Sequence, residues 1–237
     1  MRDSQSRPRL ICLPYAGGSQ HIFQAWATAL TAHIDVICPV FPGRGSRLYE
    51  PAIPSIDGLV AWLRSELSVQ LQGDFSIWGH SMGGLLGYEL SRSLVASRLA
   101  APRHLFVSGR LPPHCPRRRD QYHLADDQLL IERLRQLGGT PPEVLANNEL
   151  MALLLPILRA DIAACEDYVW MPDRVPLMVP ITIMGGDADP EVSLVDLQGW
   201  HRCTGGKVRI LSMQGGHFFL HENVEAIAKL MHRTLTS

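Results

Sequence analysis

Five cysteines in 237 residues (Cys12, Cys38, Cys115, Cys165 and Cys203) are odd in number and nowhere form a C-x-x-C pair. This argues against a disulfide framework and a cysteine-based zinc site, and it fits reduced thiols in a cytoplasmic protein. An excess of either charge is also missing: 22 lysines and arginines face 23 aspartates and glutamates, a net charge of −1. No overall field attracts nucleic acid or an anionic membrane, so neither is an expected partner. No apolar run approaches the roughly 20 residues of a membrane span. The stretch from Met1 to Arg9 is polar and carries no apolar signal-peptide core. Internal repeats, low-complexity tracts and linkers between independent domains are absent. The expectation is a monomeric cytoplasmic chain, 1–237, folding as a single domain without cofactor or metal.

Hydrophobic residues make up 46% of the chain, enough for one sizeable core, or a core with a small cap. They are grouped into short runs that read as strands: Leu10 to Leu13 before Pro14, Val36 to Cys38 before Pro39, Phe75 to Trp78, Leu105 to Val107, Ile181 to Met184, and Val208 to Leu211. Stretches of helical spacing lie between them. Phe23, Trp26 and Leu30 form one; Leu59, Trp62, Leu63 and Leu67 form another, with Ser55 as its cap. Val195 to Cys203 reads as a further helix, and Val224, Ile227, Leu230 and Met231 share a face of the last one. Strand–helix alternation implies an α/β fold, a mostly parallel sheet with helices on both faces.

Between 111 and 180 this rhythm gives way to helices. Asp126 caps one bearing Leu129, Leu130, Leu134 and Leu137, stopped by Gly138-Gly139. Thr140-Pro141-Pro142-Glu143 reads as a cap, a proline at the first helical position and an acidic first turn. A longer helix runs from Glu149 toward Tyr168 through Pro156. Three helical pieces exceed what one crossover needs, so residues 111–180 are expected to form an inserted lid; ordinary crossover helices are the alternative.

Phe75-Ser76-Ile77-Trp78-Gly79-His80-Ser81-Met82-Gly83-Gly84 sets a serine between glycines, after a strand and before a helix. This is the nucleophile-elbow pattern of an α/β hydrolase, in which small residues on either side of the serine keep the turn free of clashes. A serine needs a base, and in that fold the chain order is serine, acid, histidine. His217 follows Gly215-Gly216 just past the last strand and is the candidate base. His80 adjoins Ser81, but neighbouring side chains on an elbow diverge, so it is read as packed or bonded to a nearby loop. His221 lies four residues beyond His217, but no H-E-x-x-H pattern or companion carboxylate supports a metal site. Two aspartates, Asp187 and Asp189, follow the strand from Ile181. Asp189 is the candidate acid because it lies further along the loop, stiffened by Pro190; Asp187 is read as a turn former. Met82, directly after the serine, and Ala16, in the loop Ala16-Gly17-Gly18, are the candidate oxyanion-hole N–H donors.

Several motifs spread over nearly the whole chain resemble those of type II thioesterases, the stand-alone α/β hydrolases of polyketide and nonribosomal peptide synthesis. They are Leu13-Pro14-Tyr15-Ala16-Gly17-Gly18, Phe41-Pro42-Gly43-Arg44-Gly45, Gly79 to Gly84, Ser108-Gly109-Arg110, Leu155 to Asp161, and Gly215-Gly216-His217-Phe218-Phe219-Leu220. The resemblance implies Ser81, Asp189 and His217 as triad and Ala16 with Met82 as oxyanion hole. It also implies hydrolysis of acyl groups from the phosphopantetheine arm of acyl- or peptidyl-carrier proteins. Trp78 departs from the smaller residue usual in the family and is expected to narrow the packing under the elbow. Because carrier proteins of such systems are acidic, Arg117-Arg118-Arg119 is a candidate docking patch, with a solvated loop as the alternative. The residues by themselves show a serine acyl hydrolase. A carboxylesterase acting on small esters and a non-catalytic partner-binding module are the competing readings.

Overall fold

The computed structural model describes residues 7–30, 32–115, 121–171 and 176–236. Its frame is a sheet of six strands: β1 (Arg9–Leu13), β2 (Asp35–Ile37), β3 (Phe75–His80), β4 (Leu105–Ser108), β5 (Ile181–Gly186) and β6 (Val208–Met213). They lie in the order β2-β1-β3-β4-β5-β6, and every neighbouring pair is parallel. Strand β3, which leads to Ser81, is central, between β1 and β4. All residues of β3, β4 and β5 are buried, as strands covered on both faces must be. An α/β-hydrolase sheet is what the strand–helix alternation predicts.

Side-chain alternation along the strands divides the core into two layers. Phe75 and Ile77 pack with α2 (Ile56–Glu66) and α3 (Met82–Ala96), through Leu59, Leu63, Leu85 and Leu86. Trp78 and Phe106 turn the other way, toward α1 (Gln24–Leu30) and α7 (Val224–Thr236), through Trp26, Ile227 and Met231. Trp78 thus lies in the layer opposite α3, with its ring 6.2 Å from and nearly parallel to that of His80, the residue before Ser81. The Trp78 ring is also 4.3 Å from that of Trp26 and 5.4 Å from that of Phe23. Trp78→Ala is expected to cost about 3–5 kcal/mol of stability, the usual price of deleting a buried aromatic side chain. Urea unfolding checks this: the midpoint should fall at unchanged slope, and a shift under 1 kcal/mol would mean that this layer repacks freely.

Helix boundaries follow the caps. Ser55 accepts from the Gly58 N–H at 3.2 Å to start α2, and Asp126 from the Leu129 N–H at 2.9 Å to start α4 (Asp127–Leu137). Gly138, at φ 76°, closes α4 in the left-handed conformation that favours glycine. Helix α5 (Pro142–Leu145) starts one residue later than Thr140 as cap would place it. The second proline is the cause: Pro142 bars Pro141 from the helical region, and Pro141 sits at φ −56°, ψ 140°. The helix read over Val195 to Cys203 is present as a 3-10 helix, Asp196–Arg202.

Helix α6 (Asn148–Glu166) serves two cores. Its Met151, Leu155 and Leu158 join Leu130 and Leu134 of α4 and Leu145 of α5 in a small apolar cluster of their own. Ala164, nearer its C-terminus, belongs to the main sheet core. The helical segment is thus continuous with the hydrolase core at one end.

Candidate active site

Ser81 occupies the turn between β3 and α3 at φ 52°, ψ −112°. A non-glycine residue rarely adopts such a backbone, and it persists only where its surroundings enforce it. Here they do. The Ser81 N–H donates to the Ser108 carbonyl at 2.8 Å, and its own carbonyl accepts from the Gly84 N–H at 3.0 Å. A Cβ on Gly79 would lie 2.0 Å from the Gly83 carbonyl oxygen, and one on Gly83 would lie 2.1 Å from that of Leu13. Only glycine fits either place. Met82 is the first residue of α3, so its N–H is one of the helix-start donors without an intrahelical acceptor.

Gly215-Gly216 brings the loop after β6 against the end of β5. A Cβ on Gly186 would meet the carbonyl oxygens of Gly215 and Gly216, each at 2.4 Å. This close approach delivers His217 to the acid loop. His217 Nδ1 and Asp189 Oδ2 are 2.8 Å apart, and the Asp189 side chain is fully buried. Asp189 Oδ1 accepts from the Glu191 N–H at 2.8 Å, so both of its oxygens are engaged. Asp187 instead accepts from the Gly215 N–H at 2.9 Å, tying the two loops together through its side chain. With Nδ1 committed to a carboxylate, Nε2 is the ring nitrogen of His217 left for proton transfer.

Ser81, Ala16, Asp189 and His217 all line one cavity of about 500 Å³. Its wall mixes apolar side chains (Leu111, Leu134, Leu137 and Ile162) with charged ones (Arg110, Arg133, Glu166 and Glu191). Two of the charged groups are paired: Arg133 of α4 meets Glu191, beside the acid loop, at 2.6 Å. That link from the helical segment to the loop bearing Asp189 is not evident in the sequence, where the pair is 58 positions apart. Such a chamber can hold an acyl chain with its carbonyl at the serine.

The other two histidines near the site are otherwise engaged. His80 is fully buried with Nδ1 2.9 Å from Ser108 Oγ. Burial, reinforced by nearby His217, depresses its pKa well below the ordinary value and keeps the ring neutral. His221 Nε2 lies 3.2 Å from the Tyr15 hydroxyl. Arg117 to Arg119 lie outside the described residues.

The thioesterase-domain family profile matches residues 8–235. The chain belongs to the thioesterase family. Its relatives include the gramicidin S biosynthesis protein GrsT of Aneurinibacillus migulanus, 36% identical over 233 residues, or 98% of this chain and 91% of that one. Among solved structures, the type II thioesterase BorB from the borrelidin biosynthetic cluster is 35% identical with a TM-score of 0.89, covering 98% of this chain and 94% of BorB. ClbQ from the colibactin NRPS/PKS pathway is 32% identical with a TM-score of 0.91, and 98% of each chain is covered. Type II thioesterases of nonribosomal peptide and polyketide pathways are therefore the relatives of this thioesterase, as the motifs from Leu13 to Leu220 imply. Five of the six motifs place residues around the cavity or beside Gly17; what joins Arg44 and Asp161 among them is not legible from motif spacing.

Proposed function

We propose that Ser81, His217 and Asp189 are the catalytic triad of an editing thioesterase, and that the Ala16 and Met82 N–H groups are its oxyanion hole. The observation that carries this reading is the 2.8 Å His217–Asp189 bond at a cavity wall shared with Ser81. In the first half-reaction His217 Nε2 takes the Ser81 proton, and Oγ attacks the thioester carbonyl. The two N–H groups stabilise the tetrahedral oxyanion. Collapse breaks the C–S bond, and the imidazolium returns the proton to the departing thiolate. Water, deprotonated by the same nitrogen, then attacks the acyl-enzyme, and Oγ leaves with that proton, freeing the carboxylic acid.

The substrate in this reading is an acyl group on the phosphopantetheine arm of an acyl- or peptidyl-carrier protein, met transiently by a monomeric enzyme in the cytoplasm. The relatives' NRPS and PKS pathways support that choice. The role is removal of stalled or aberrant acyl groups, and the helices over 111–180 act as a lid on the chamber. Matched substrates test it. An acyl group on a carrier protein should be hydrolysed with kcat/KM at least about 100-fold above that of the same acyl group as an oxygen ester, because a thiolate leaves more readily and the carrier adds binding contacts. The reverse preference would make this a carboxylesterase.

A further inference from the structure

Two of the motifs, Pro42-Gly43-Arg44-Gly45 and Leu158-Arg159-Ala160-Asp161, hold no group that the proposed reaction uses. In the fold they meet behind the Ala16 loop. Asp161, on α6, is fully buried, and Arg44 is 5% exposed. Asp161 Oδ1 accepts from Arg44 Nη2 at 2.8 Å, while Oδ2 accepts from the Gly17 N–H at 2.7 Å. Arg44 Nη1 donates to the Gly18 carbonyl at 2.7 Å. The pair thus grips a donor on one side of the loop and an acceptor on the other.

The loop is a tight turn closed by the Gly18 N–H on the Tyr15 carbonyl at 2.9 Å, with Gly17 at φ 75°. Ala16 is the second residue of that turn and lines the cavity with Ser81. Leu158, one turn before Asp161 on α6, presses on the same glycine: a Cβ on Gly17 would lie 2.4 Å from Leu158 Cδ2. A turn of four residues has no rigidity of its own, and an oxyanion donor must be held in place before the charge develops.

We propose that Arg44 and Asp161 are positioning residues, holding the Tyr15–Gly18 turn so that the Ala16 N–H meets the oxyanion. Stability alone explains the pair poorly. Buried ion pairs are often no more stabilising than apolar side chains of similar volume, whereas this pair directs its remaining hydrogen bonds to the loop backbone. Burial raises the Asp161 carboxyl from its ordinary value, and Arg44 together with the Gly17 N–H acts against that rise. Because Ile162 and Cys165 of the same helix line the cavity, α6 both walls the chamber and sets the loop beside it. The inference rests on Ala16 and Met82 being the oxyanion donors.

The test uses the full chain with an acyl-pantetheine thioester, an alkylboronic acid as tetrahedral mimic, and the non-hydrolysable acyl-pantetheine amide as ground-state mimic. In Asp161→Asn the amide can serve only one of its two partners. The expected result is kcat lower by about 100-fold, the scale of losing one oxyanion donor, with KM within about threefold. Boronate affinity should fall with kcat while amide affinity holds. Should Asp161→Asn fail to fold, the apolar pair Arg44→Met with Asp161→Leu removes the unpaired charge and is read by the same outcomes. Wild-type kcat in either folded variant overturns the proposal, as does equal loss of boronate and amide binding. If neither variant folds, the pair maintains the fold and the proposal fails. Wild-type labelling at Ser81 by a fluorophosphonate is scored separately: its absence would bring down the triad reading, whereas labelled wild type with an unaffected Asp161→Asn would bring down this inference alone.

Discussion

Ser81→Ala is expected to reduce kcat for a carrier-bound acyl thioester by about a million-fold, the scale seen when a serine hydrolase loses its nucleophile. The remaining turnover would come from binding and the oxyanion hole acting on water directly, still some thousand-fold over solution. KM should change little, because Oγ bonds to the carbonyl only in the transition state and the acyl-enzyme. The substitution is also mild for the fold. Alanine keeps the Cβ, so the φ 52° turn is no more strained than before, and the Gly79 and Gly83 contacts that enforce it are untouched. Rapid-quench intact-mass measurement checks the result: wild type should gain the mass of one acyl group, and Ser81→Ala none. Turnover within tenfold of wild type would remove Ser81 from the mechanism.

How far the site could be read from sequence depended on whether a residue's role is local. Gly79 and Gly83 were legible because the elbow is built within five residues and its sterics permit one residue type at each place. The close approach of Gly186, at the end of β5, to the Gly215-Gly216 backbone joins two separate loops and shows only in the fold. The parallel sheet followed from short apolar runs alternating with helical spacing, whereas the order β2-β1-β3-β4-β5-β6 comes from the fold, since right-handed parallel connections allow many orders. The layer that Trp78 fills is legible as well. With Ile77 facing the α3 layer, period-two alternation already directs Trp78 to the opposite one. The double role of α6 is not legible, because its apolar spacing is the same whether a turn meets α4 or the sheet. Arg44 and Asp161 are 117 positions apart, and each reads alone as an ordinary charged residue. Only the fold makes them one ion pair.

The second large effect separates two aspartates that residue type cannot tell apart. Asp189→Asn is expected to lower kcat by about 10,000-fold, and Asp187→Asn by less than tenfold. In the proposed triad Asp189 Oδ2 accepts a hydrogen bond from the His217 Nδ1–H, which leaves Nε2 unprotonated to take the proton of Ser81. An asparagine can turn its NH₂ toward Nδ1 and stabilise the opposite tautomer, with the proton on Nε2, which accepts nothing from the serine. It also offers no negative charge to the imidazolium of the transition state. Asp187 acts differently: it accepts one loop hydrogen bond, from the Gly215 N–H at 2.9 Å, and an asparagine oxygen can accept the same bond. Its loss of charge is felt in solvent, since Asp187 is exposed. Steady-state kinetics on one acyl-pantetheine substrate gives both numbers, with KM expected to hold in each variant. The reverse ranking would transfer the acid role to Asp187, and equal losses in both would mean that the joined loops, rather than one carboxylate, orient His217.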